Sequence, residues 1–170
     1  ASIDGTGEIG EYIRTGLKYD QWLENFEQGL EIATHPRQMR LDFTLTLPGL
    51  FEVERIEKLA KHLNVDILAK VIFTFTPDII LSPLALPRAI LNRKLDELLD
   101  IVSTPVMVDM LSQLKNRFTI EEQWPGQYDE AMRRGKKRIQ QLEKIRNDQF
   151  TLANILEEDK EIYEWYQKIR

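Results

Sequence analysis

Apolar residues first fall on helical spacing at Trp22, Phe26, Leu30 and Ala33, with Glu24, Glu27 and Glu31 on the other sides, which predicts an amphipathic helix over residues 19–33. It stops at Thr34-His35-Pro36, because a residue before proline is pushed out of the helical region. From Arg40 to Leu47 the period drops to two. Leu41, Phe43, Leu45 and Leu47 share one face, and Asp42, Thr44 and Thr46 the other, as in a strand. Pro48-Gly49 breaks that strand. Val53, Ile56, Leu59, Ala60 and Leu63 then form a helical stripe over charged Glu52, Glu57 and Lys61, with Asn64 as the helix end. Ile67 to Phe75 is nearly continuous in apolar and β-branched residues, the signature of a strand buried on both faces.

Ser2-Ile3-Asp4-Gly5 reads as the end of a strand with its turn. The first half is therefore strand end, helix, strand, helix, strand, and its short links predict parallel, right-handed β–α–β units. Because Ala1 runs straight into a strand end, the natural protein is expected to begin earlier. Pro77, Pro83 and Pro87 punctuate an irregular stretch, and Pro87 is placed to open a helix with the stripe Leu91, Leu95, Leu98 and Val102. Further helices are expected over 105–116, from Tyr128 through Met132, Gly135, Ile139 and Leu142, and over 157–168, with a loop at 123–127.

Composition narrows the class. The chain has 170 residues, 42% hydrophobic and 30% charged, which suits a folded domain and argues against disorder. Uncharged runs such as Val71 to Pro77 are too short to span a bilayer, and no secretory signal is visible. With 23 Lys and Arg against 28 Asp and Glu, the net charge of −5 gives no strong nucleic-acid signal. There is no cysteine, which excludes disulfides and thiolate metal sites built from these residues and fits a reducing cytosol. A cytoplasmic location is the expectation.

Gly5-Thr6-Gly7-Glu8-Ile9-Gly10 is a literal G-x-G-x-x-G, a pattern that cradles a pyrophosphate when it joins a strand to a helix. A dinucleotide site also needs an acid at the end of the next strand. Here that strand ends in Thr46-Leu47-Pro48, with Asp42 near its start. His35 and His62 have no second ligand at metal spacing, so no metal site is expected. Arg133, Arg134, Lys136, Lys137 and Arg138 form a basic block. It reads either as a solvated helix face, with Glu157, Glu158, Asp159 and Glu161 against it, or as a surface for a peptide or a phosphate. Trp124, Tyr163, Trp165 and Tyr166 read as packing residues of the C-terminal helices or as substrate contacts.

A wider set of residues, Ser2-Ile3-Asp4-Gly5, Glu8, Glu11-Tyr12-Ile13-Arg14 and Tyr19-Asp20, resembles the fourth strand and following loop of radical S-adenosylmethionine enzymes. The likeness is greatest to the branch with twitch or SPASM extensions, which includes peptide-modifying members. It is strong over residues 2–14 and looser beyond Pro77. The resemblance implies that Ser2 and Arg14, twelve residues apart, contact the ribose and methionine parts of the cofactor, with Asp4 assisting as turn former or ribose acceptor. Such roles suit a hydroxyl and a guanidinium fork. It also implies that Phe75 rests against the adenine, and that Thr46, Thr74 and Thr76 line a pocket at the C-terminal strand ends. Two departures stand out. The C-x-x-x-C-x-x-C loop that binds the [4Fe–4S] cluster is absent, as are the auxiliary-cluster cysteines, and Thr46-Leu47-Pro48 replaces the asparagine frequent at the end of the fifth strand.

The expected architecture is α/β, the C-terminal half of a (β/α)6 partial barrel over residues 1–80, followed by a helical extension without cluster cysteines over 81–170. The expected function is that of a radical S-adenosylmethionine enzyme, inactive as this piece alone. Its cofactors would be S-adenosylmethionine and a [4Fe–4S] cluster whose ligands lie in a missing N-terminal half. A peptide is a possible substrate class, and the N-terminal barrel half is the partner such a piece needs. The alternatives are an NAD-type module using Gly5, Gly7 and Gly10, and a non-catalytic interaction module presenting the basic helix and aromatic residues.

Overall fold

The computed structural model describes residues 1–35 and 37–170. β1 (Ser2–Ile3), β2 (Arg40–Leu45) and β3 (Asp66–Val71) form one parallel sheet in the order β1-β2-β3, with Ile3 beside Phe43, and Phe43 beside Ala69. α1 (Gly7–Ile13) and α2 (Tyr19–Ile32) connect β1 to β2, and α3 (Val53–Leu63) connects β2 to β3. The expected ends of the second and third helices hold: α2 closes on Ala33, and Asn64 closes α3 in the left-handed conformation at φ 53°. The stop assigned to Pro36 lies outside the described residues.

The expected half of a six-unit barrel is not what the chain forms. Three strands make a small open sheet, and the rest of the described chain is predominantly helical. Beyond residue 82 the apolar residues keep helical spacing, so no further strand is available to curl the sheet toward closure. There the chain forms α4 (Arg88–Ile101), α5 (Pro105–Lys115), α6 (Ile120–Gln123), α7 (Tyr128–Arg146), α8 (Leu152–Leu156) and α9 (Lys160–Lys168). One continuous apolar core runs from Ile3 through Phe43, Leu95 and Met107 to Tyr166.

β3 also departs from expectation. It ends at Val71 rather than Phe75, and it is not buried on both faces. Leu41, Phe43, Leu45 and Val71 point into the core, whereas Ser2, Arg40, Leu68 and Lys70 are exposed on the other face, over which no helix packs among the described residues. A parallel sheet ordinarily has both faces covered.

Glu57, which reads in sequence as solvated, is only 3% exposed. It accepts hydrogen bonds from the Ser103 and Thr104 amides, the first at 2.9 Å, and pairs with Lys61 at 2.9 Å, so it ties α3 to the start of α5. Burial alone would raise its pKa. Hydrogen bonds from Thr104, Lys61 and the Thr104 and Ser103 amides outweigh that, and hold it at about 2 against an ordinary 4.5. The folded value lies below the unfolded one, so the stabilisation, about 3 kcal/mol, is complete above the ordinary value and lost as pH falls toward the folded one. Urea midpoints measured across that acid range are expected to fall steeply for the native chain and less for Glu57→Gln. Parallel curves would show that this carboxylate does not govern acid stability.

The acids of residues 157–161 do not lie against the basic block. Asp159 and Glu161 hold Arg93 of α4 at 2.7 and 2.6 Å, and Glu158 reaches Arg55 at 3.4 Å. Trp165 and Tyr166 are buried, and the Trp165 indole donates to the Tyr128 hydroxyl at 3.0 Å.

Candidate functional site

The C-terminal end of β1 turns directly into α1, and this turn gathers most of the residues singled out from the sequence. Ser2 lies on β1 and Asp4 in the bend that follows it. Ser2 is exposed. Asp4 is 8% exposed, accepts from the Thr44 amide at 3.2 Å through one carboxylate oxygen, and takes Arg14 Nε at 2.8 Å on the other. Arg14 is the residue that closes α1, so a ten-residue turn folds its guanidinium back onto the strand end. Both its terminal nitrogens lack a partner among the described residues, and its side chain is 40% exposed. The arrangement is a partly exposed cation held through Nε just past the strand that carries the exposed Ser2.

The glycine pattern serves a different purpose from phosphate binding. Gly10 of α1 lies directly on Gly5, so closely that a Cβ on Gly10 would be 2.2 Å from the Gly5 carbonyl oxygen. The Thr6 amide and hydroxyl, which would greet an anion in a dinucleotide site, both donate to Glu52, at 2.5 and 2.6 Å. Glu52 is fully buried and also takes Arg55 at 2.5 Å. A carboxylate already fills the place of the pyrophosphate, and a second anion there would meet like charge. Sequence reading missed Glu52, because a charged residue just ahead of a helix looks like an ordinary exposed first-turn acid.

The other expected residues are scattered. Phe75 lies four positions past the end of β3 and is 79% exposed, with Phe73 5.8 Å away ring to ring. Thr46 is buried and accepts from the Gly49 amide, and the Thr76 hydroxyl donates to Asp78 at 2.6 Å. His62 is exposed, and the His35 ring nitrogen accepts from the Arg37 amide. Among the described residues no group of three His, Asp or Glu side chains is placed to hold a metal ion.

Thr46 opens onto a cleft of about 190 Å³ between α1, the end of β2 and α7. Its α1 wall is fixed to α7 by the Tyr12 hydroxyl, which donates to Glu143 at 2.9 Å, and by Arg146, which donates to the Tyr12 carbonyl and the Thr15 hydroxyl. Burial and the neighbouring Glu143 carboxylate push the Tyr12 pKa far up, so the phenol stays a hydrogen-bond donor.

Among the described residues, no helix is long and apolar enough to cross a membrane. Comparisons with protein-family models, curated proteins and solved structures returned no match to this chain.

Proposed function

We propose that this chain is the cofactor-orienting part of a radical S-adenosylmethionine enzyme, with Ser2, Asp4 and Arg14 facing the ligand. The observation that carries the reading is the Arg14 guanidinium, held by Asp4 through Nε at 2.8 Å just past the end of β1, the parallel strand that carries exposed Ser2. S-adenosylmethionine offers complementary groups: a carboxylate for a two-pronged hydrogen bond from Arg14, and ribose hydroxyls for Ser2.

The [4Fe–4S] cluster itself does not fit these residues. The chain has no cysteine, and its ligands would have to come from another segment. The contribution of this chain is to fix the orientation of the methionine end through Arg14, whose own direction is set by Asp4, and to anchor the ribose at Ser2.

Equilibrium dialysis of the chain against radiolabelled S-adenosylmethionine tests the proposal. Binding is expected, with Arg14→Ala weakening it roughly tenfold or more and Ser2→Ala less. Absence of binding, or binding indifferent to Arg14→Ala, would sink the proposal.

A further inference from the structure

We infer that Arg146, at the C-terminal end of α7, is the positioning residue for Arg14: it clamps the chain on both sides of that residue and so keeps its guanidinium on Asp4. The inference rests on the cofactor reading only for the identity of the ligand. Nη1 of Arg146 donates to the Tyr12 carbonyl at 3.3 Å and to the Thr15 hydroxyl at 2.9 Å, one position before and one after the pair Ile13-Arg14. The guanidinium lies over the Tyr12 ring, 5.1 Å from its centroid. Asp148 fixes the clamp in turn, accepting from Nε at 2.9 Å and pairing with Nη2 at 2.5 Å.

Arg14 needs such a clamp because little else holds the chain around it. Tyr12 is buried and tied to Glu143, but past it Thr15 and Gly16 are exposed. The helix α1 has seven residues, Gly7 and Gly10 among them, so its last turn is weak by propensity and by length. Tyr12 stands in that last turn, where helix carbonyls lack an amide partner, and a cation there also meets the negative end of the helix. Arg14 leaves the helix in an extended conformation, φ −109° and ψ 96°, and the Leu17 amide then bonds to its carbonyl at 3.0 Å. Arg146 reaches beyond Tyr12 to Thr15, and so fixes the far side of the residue whose side chain must meet Asp4.

A ligand that needs the Arg14 guanidinium in one place binds in proportion to the fraction of molecules that have it there. The clamp comes from 131 positions beyond Thr15, so the C-terminal helices enter the binding equilibrium through Arg14 rather than by touching the ligand. A lysine at 146 keeps the charge but offers no planar fork, and can satisfy Asp148 and the α1 end only in part.

Two measurements test the inference. In nitrogen–proton NMR spectra the Arg14 Nε–H, bonded to Asp4, should give a slowly exchanging signal, assigned by its loss in Arg14→Lys. Arg146→Ala is expected to remove that signal and Arg146→Lys to restore part of it, while the amides of Phe43 and Leu45 in the sheet keep their shifts. Thr15→Val, at an exposed position, removes one acceptor of the clamp without touching the core, and should weaken the signal. A signal unchanged in Arg146→Ala and Thr15→Val overturns the inference. In equilibrium dialysis with labelled S-adenosylmethionine, Arg146→Ala should weaken binding about fivefold in the parent chain and hardly at all in an Arg14→Ala background. Equal losses in both backgrounds would make Arg146 an ordinary structural residue. A parent chain that binds no S-adenosylmethionine, with an Arg14 signal that still depends on Arg146, removes the cofactor reading and leaves the positioning role standing.

Discussion

Gly10→Ala is expected to cost about 4 kcal/mol or more, enough to unfold a large fraction of the chain. The added Cβ would lie 2.2 Å from the Gly5 carbonyl oxygen and 2.7 Å from its carbon, and both are backbone atoms with no rotamer to give way. Relief requires α1 to lift from the end of β1, which also breaks the Thr6–Glu52 bonds and the Arg14–Asp4 pair. Gly16→Ala is the control. Gly16 has φ +86° with open space around it, so alanine there pays only the left-handed penalty, about 1 kcal/mol. Urea denaturation of the two variants side by side should separate them by several kcal/mol. Similar, small losses would mean that the strand end and helix are not packed backbone to backbone.

The second large effect is expected at Glu52. Removing its carboxylate with Glu52→Ala leaves the Thr6 amide and hydroxyl without their acceptor, while Arg55, half exposed, keeps Glu158 and water, a loss of about 2–3 kcal/mol. Glu52→Gln keeps the size and one acceptor oxygen, and should lose about half as much. Thermal unfolding with calorimetry distinguishes the two. A Glu52→Ala chain as stable as the parent would show that the turn finds other partners, and would reopen the glycine loop to an outside anion.

Residues whose environment is set by their own element were legible in the sequence. The alternation of Leu41, Phe43 and Leu45 announced a strand with one buried face, and Asn64 announced a left-handed helix end. What failed was whatever depended on a distant partner. Ile67 to Phe75 reads as a doubly buried strand because apolar type carries no record of which neighbours arrive, and in the fold the side of Leu68 stays uncovered. Gly7–Ile13 escaped notice as a helix because its two glycines, Gly7 and Gly10, mask the apolar positions Ile9, Tyr12 and Ile13. Helical propensity is low there, and packing overrides it. Glu52, Glu57 and Glu143 look like surface acids, and each is buried against donors from elsewhere in the chain. The turn around Ser2, Asp4 and Arg14 was legible as a spacing, whereas the Asp4–Arg14 contact that gives it a geometry was not.

A single oxygen of the Glu143 carboxylate accepts both the Tyr12 hydroxyl, 131 positions earlier, and the Leu152 amide, at 2.9 and 2.7 Å. The short α1 is too brief to persist alone, so its amides should exchange with solvent only when α7 opens as well. Hydrogen-exchange measurements are then expected to report one shared protection level for Ile13, Arg14 and the middle of α7. A protease nick that frees the C-terminal helices would loosen the N-terminal turn as surely as a cut within it.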